Sequence, residues 1–154
     1  MTVIGEASAG SLVVNGNASF VGNVTFEGSL YSEGEAPEVT VGMAAGQEGE
    51  VTIDGTDTAG TIIIRAKAGV TDAGLPEQLA PGEGISIVFN NQFAAMPRVQ
   101  LTAVNEGAVN VEYYVSRDEN GFKLIITEPL TPGKEYSFDY FVIGAETKAA
   151  ATPN

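Results

Sequence analysis

The chain has 154 residues, a formal net charge of −13, 19 Gly, 7 Pro and no His, Cys or Trp. The length fits one domain, or one domain with an appended segment. Without His or Cys there is no Ser-His or Cys-His nucleophile, no His-ligated zinc, no thiolate and no disulfide. The charge is uneven: residues 1–64 hold nine acidic and no basic residues, and every basic residue from Arg65 to Lys148 follows them. Such a field repels nucleic acid and anionic membrane, and its ordinary role is to keep a surface soluble. Met1–Ser8 shows no signal-peptide pattern and no stretch reaches bilayer-spanning length, so either assembly in a cytoplasm or a trimmed sequence is expected.

Residues 1–9 read as an arm. Five glycines then fall six residues apart, at Gly10, Gly16, Gly22, Gly28 and Gly34. The third position of each unit is Leu12, Ala18, Val24 or Leu30, and the fifth is Val14, Phe20, Phe26 or Ser32. Period-two alternation punctuated by glycine predicts very short strands joined by turns. Two arrangements fit: a three-sided parallel β-helix at about eighteen residues per coil, or a meander turning at Asn15-Gly16 and Gly22-Asn23. Either leaves an apolar face that the segment cannot bury alone, so Leu12, Val14, Phe20, Val24, Phe26 and Leu30 are the candidate oligomer interface. Asn17-Ala18-Ser19 and Asn23-Val24-Thr25 match glycosylation sequons, but they follow from the repeat itself.

Beyond the repeat, a linker over residues 35–50 encloses one short strand at Glu38–Val41. Residues 51–66 give two strands about a Gly/Asp/Thr turn, with Ile62, Ile63 and Ile64 covered on both faces. Residues 69–83 form a long loop. From Gly84, strands are expected around Ile85–Phe89, at Arg98–Val104, Val109–Ser116, Phe122–Thr127 and Tyr136–Ile143, with Asn120-Gly121 at a hairpin tip. No segment requires a helix. The fold class is therefore all-β, a C-terminal antiparallel β-sandwich after a short-strand repeat. The expected divisions are a 1–66 stalk or docking region, a 67–83 linker, an 84–144 knob and a 145–154 tail.

Candidate chemistry is sparse. Asp54 and Asp57, with Thr52, Thr56 and Thr58, offer oxygens to a Ca²⁺ ion, but the spacing is not that of a calcium loop and Asp-Gly is a common turn pair. Asp118 and Glu119 sit on a hairpin and diverge, which excludes the converging carboxylates of a glycosidase. No metal, cofactor or catalytic residue is expected. Tyr113, Tyr114 and Arg117 form the candidate receptor-binding patch, because one of two adjacent strand tyrosines must face outward. The competing reading packs one tyrosine in the core and the other at a subunit interface.

IVFNNQFAAMPRVQLT (Ile87–Thr102), YYVS (Tyr113–Ser116), GFKL (Gly121–Leu124) and YSFDYFVIG (Tyr136–Gly144), with GTDTAGTI (Gly55–Ile62) as lead-in, cover roughly half the chain. They resemble a module at the ends of bacteriophage tail and head fibres, itself similar to the H-type lectin sandwich. The resemblance implies a β-sandwich that serves as a receptor-binding knob or a trimerising cap. With the repeat, it implies a non-enzymatic virion protein: a homotrimeric fibre or decoration protein, assembled in the host cytoplasm and exposed on the particle. Its partners would be its own copies, other virion proteins and a cell-surface glycan, with no nucleic acid and no membrane insertion. The alternatives are a stand-alone carbohydrate-binding lectin module and a self-polymerising β-helical filament.

Overall fold

The computed structural model describes residues 10–144, which divide into two units, one ending at Tyr31 and one beginning at Ser32. The expected arm over residues 1–9 and the whole 145–154 tail lie outside the described residues.

The unit from Ser32 onward is built of strands. In chain order they are β1 (Glu38–Val41), β2 (Glu50–Gly55), β3 (Ala59–Arg65), β4 (Gly82–Val88), β5 (Arg98–Ala103), β6 (Tyr113–Arg117), β7 (Gly121–Ile126) and β8 (Glu135–Ile143). They form two four-stranded antiparallel sheets, ordered β1-β4-β7-β6 and β2-β3-β8-β5. Only β2-β3 and β6-β7 are hairpins within a sheet; every other connection crosses between sheets. The all-β class expected from the alternating pattern is what is found.

Alternation sorts the side chains. In β8, Tyr136, Phe138, Tyr140 and Val142 are buried and Glu135, Asp139, Phe141 and Ile143 are exposed. Successive residues of a strand face opposite ways, so one parity enters the core. The two sheets share one core: Tyr113 of β6 meets Phe138 of β8 edge-on at 5.2 Å, and Phe122 of β7 meets Tyr140 of β8 at 5.8 Å. Ile62, Ile64, Ile85 and Leu124 are fully buried among them. At one edge Phe89 packs edge-on against Phe93 at 5.0 Å, joining the two aromatics of the β4–β5 connection.

Three expectations need correcting. The 67–83 segment does not separate a stalk from a knob. β1 pairs with β4 and β3 runs its whole length along β8, so residues 38–65 belong to the same two sheets as the rest. Composition near the long loop hides this, because strand pairing is non-local. The strand expected from Val109 begins only at Tyr113, and Glu106–Val109 is instead one helical turn capped by Asn105, whose side chain accepts from the Ala108 N–H at 2.9 Å. Local capping there outweighs alternation. Residues 10–34 contain no strand, neither coil nor meander. A strand needs a partner ladder, and among the described residues none pairs with this segment.

Candidate functional site

The segment of residues 10–31 is extended, and its chain bends at Asn15–Gly16, Val21–Gly22 and Glu27–Gly28, once per repeat unit. The bends have a local cause at Gly16 and Gly22, where φ is +128° and +130°, a region that side chains disfavour. All six candidate interface residues are exposed, including Phe20 at 66% and Phe26 at 63%. Val13, Val21 and Tyr31 are exposed as well. Isolated exposed apolar residues are ordinary, and a run of this density over some twenty residues is the candidate interaction surface.

In the second unit the antiparallel order fixes which loops share an end. Glu38 at the start of β1 lies beside Val88, and Phe89 and Phe93 donate backbone N–H bonds to Asn120 and Glu119. The chain lead-in, the β2–β3 turn, the Asn90–Phe93 loop, the Asp118–Gly121 turn and Gly144 therefore gather at one end. Met43–Gly46, the residue 66–81 loop, the Asn105 turn and Thr131–Lys134 gather at the other: the Lys67 N–H bonds Ala45 O, Gly133 bonds Ala66 O, and the Asn105 side chain bonds Glu135 O. The Asp118–Gly121 and Thr131–Lys134 tips, both natural places to seek contact, thus sit at opposite ends.

Tyr113, Tyr114 and Arg117 do not share a surface. Tyr113 faces inward, and its hydroxyl donates to the Leu101 carbonyl at 3.3 Å; Arg117 Nε donates to the Pro97 carbonyl at 2.7 Å. Both close the side between edge strands β5 and β6, capping carbonyls that no strand covers. Tyr114 alone faces out, at 56% exposure, beside Ile125. The two residues at the ends of the motif are thus structural, as strand parity requires.

Asp57 is a brace. One carboxylate oxygen accepts from the Asn90 N–H at 2.9 Å and from Asn90 Nδ2 at 3.2 Å, and the other from the Asn91 N–H at 3.0 Å. These bonds tie the β2–β3 turn to the β4–β5 loop. Asp54 stands exposed in strand β2. Among the described residues no group of three or more acidic side chains is placed to hold a metal ion. The Tyr140 hydroxyl donates to the Thr56 carbonyl in the same turn. Burial, with Asp57 and Asp54 nearby, pushes its pKa up to about 12.

Composition gave no sign of two features. A polar groove of about 490 Å³ lies at the lead-in end, where Glu33, Glu35, Asp57, Asn91 and Gln92 surround Phe93. At the far end, Pro76, Leu79, Pro129, Leu130 and Pro132 line a more apolar groove of about 460 Å³. Leu75 and Met43, 64% and 83% exposed, belong to the loops of that end. Both grooves are assembled from loops distant in sequence, which no local pattern reveals. Comparison with protein-family models, with curated proteins and with solved structures returns no match.

Proposed function

We propose that the protein is a non-enzymatic structural component of a virus particle, a homotrimeric fibre or decoration protein whose repeat segment assembles copies and whose two-sheet unit is its outward module. The observation that carries the reading is the exposed apolar run of residues 10–31, which has no described partner. Covering a surface of that kind with other copies removes its apolar area from water. Supporting it, the lead-in and Gly144 lie at one end of the two-sheet unit, and contact with a host surface or a neighbouring virion protein is sought at the other. Attachment is therefore sought on the Met43, Leu75 and Pro129–Pro132 loops rather than around Arg117.

Native mass measurement on the full chain tests the assembly: a discrete trimer at micromolar concentration is expected, and a monomer overturns the reading. Open-ended assemblies would favour a self-polymerising filament. Labelling of purified particles by an antibody to the two-sheet unit tests the location. A second role, binding a cell-surface glycan, is favoured by the groove around Phe93, where amides and carboxylates ring one aromatic. A glycan array with the trimer tests that role.

A further inference from the structure

We infer that the repeat segments of three copies interlock by parallel backbone pairing in which residue i of one copy lies beside residue i+6 of the next; this rests on the trimer reading above. The first ground is parity. Even positions from Gly10 to Gly34 are Gly, Leu, Val, Gly, Ala, Phe, Gly, Val, Phe, Gly, Leu, Ser and Gly, whereas most odd positions are Asn, Ser, Thr or Glu. Six is even, so the apolar parity passes unbroken through every bend, with each glycine on the apolar side. One continuous apolar ribbon turning at six-residue intervals returns to its starting side after three bends and encloses a triangular interior.

The second ground is what the single chain lacks. A β-helix closed by one chain pairs residue i with i+18, which would set Leu12 beside Leu30. Both belong to the described segment, yet no such ladder forms and both side chains are exposed. Gly28 sharpens the point: its φ is not left-handed and no atom lies within 4 Å of where a Cβ would stand. Among the described residues nothing requires a glycine there; in the proposed assembly the corner is where neighbouring copies meet.

The third ground is register. In a three-fold assembly, advancing one hexad moves a chain to the next side, where it must stack on the preceding hexad of the neighbour. Only an offset of six achieves this with parallel strands about 4.8 Å apart. Every glycine then stacks on a glycine, Phe20 on Phe26, Val24 on Leu30 and, outside, Asn17 on Asn23. A hairpin about Asn15-Gly16 reverses the order and loses these matches. The register has one cost, Glu27 beside Glu33, a like-charged neighbour.

The absence of native cysteine makes the register directly readable. Adjacent strands fall within the Cα separation a disulfide spans, about 4.4–6.8 Å. The full-length double substitution Asn17→Cys with Asn23→Cys, both on the polar side, is oxidised and run without reductant. Three cross-links closing a covalent trimer are expected, and neither single substitution should give one. Val13→Cys with Tyr31→Cys, three layers apart at about 14 Å, should give none. Thr25→Cys with Tyr31→Cys repeats the i, i+6 test if the first pair does not fold. A native trimer that cross-links within one chain at 13/31, or at neither i, i+6 pair, overturns the register and leaves the trimer standing. A monomer by native mass overturns both.

Discussion

At the scale of single residues, the side chains that looked most available for binding are those that hold the sheets together. Tyr113→Phe removes the bond to Leu101 and should cost about 0.5–1.5 kcal/mol, and Arg117→Ala should cost a similar amount by baring the Pro97 carbonyl. Urea unfolding measures both, and trimer formation should be unaffected. Tyr140 sets an alkaline limit. Its folded pKa, near 12, lies above the ordinary 10, so the unfolded chain ionises first and stability falls as pH rises from 10 toward 12. Tyr140→Phe should flatten that fall in urea midpoints taken across the window. At the acid end the sign reverses. The Lys67 ammonium beside Glu50, by hydrogen bond and then by charge, holds the Glu50 carboxyl below 4.5. This contribution is present above pH 4.5 and disappears as pH falls through the lower folded value; exposure and salt keep it small.

At the scale of elements, pairing across long sequence separations decides what can stand alone. A fragment of residues 69–144 lacks β1, β2 and β3, and leaves the edge of β8 and the surface under Ile62 and Ile64 bare. It should show no cooperative transition, whereas residues 32–144 should unfold in one step by circular dichroism. The Asp118–Gly121 turn shows how a familiar dipeptide serves a different end. Asn-Gly suggests a turn of positive φ, yet neither Asn120 nor Gly121 adopts one. The Asp118 carboxylate accepts from the N–H groups of both residues, at 2.8 and 3.1 Å. Gly121 is required instead by crowding, since a Cβ there would stand 2.0 Å from the Ile87 carbonyl oxygen. Gly121→Ala should therefore push β7 from β4 and destabilise by about 1–3 kcal/mol in chemical denaturation.

At the scale of the whole molecule, the proposed assembly is expected to be separable from folding. Phe20→Asp with Phe26→Asp places charge on the apolar ribbon, where each large side chain is worth about 1.5–3 kcal/mol when covered. Native mass should shift from trimer to monomer while near-ultraviolet circular dichroism of the two-sheet unit stays unchanged. A fully assembled double variant would remove the repeat from the assembly mechanism.

The sequence by itself determined the all-β class, because alternation and turn chemistry are local: β1 falls at the expected Glu38–Val41, and β8 begins one residue before the expected Tyr136–Ile143. The hexad was equally legible, since glycine spacing is counted along the chain. Tertiary structure alone decided which strands are neighbours. Nothing local announces that β3 lies along β8, that Asp57 reaches Asn90, or that Tyr113 and Arg117 cap a strand edge. It also placed two loop tips at opposite ends and built both grooves from distant loops. Those facts depend on hydrogen-bond pairing between segments tens of residues apart, which a short-range pattern does not encode.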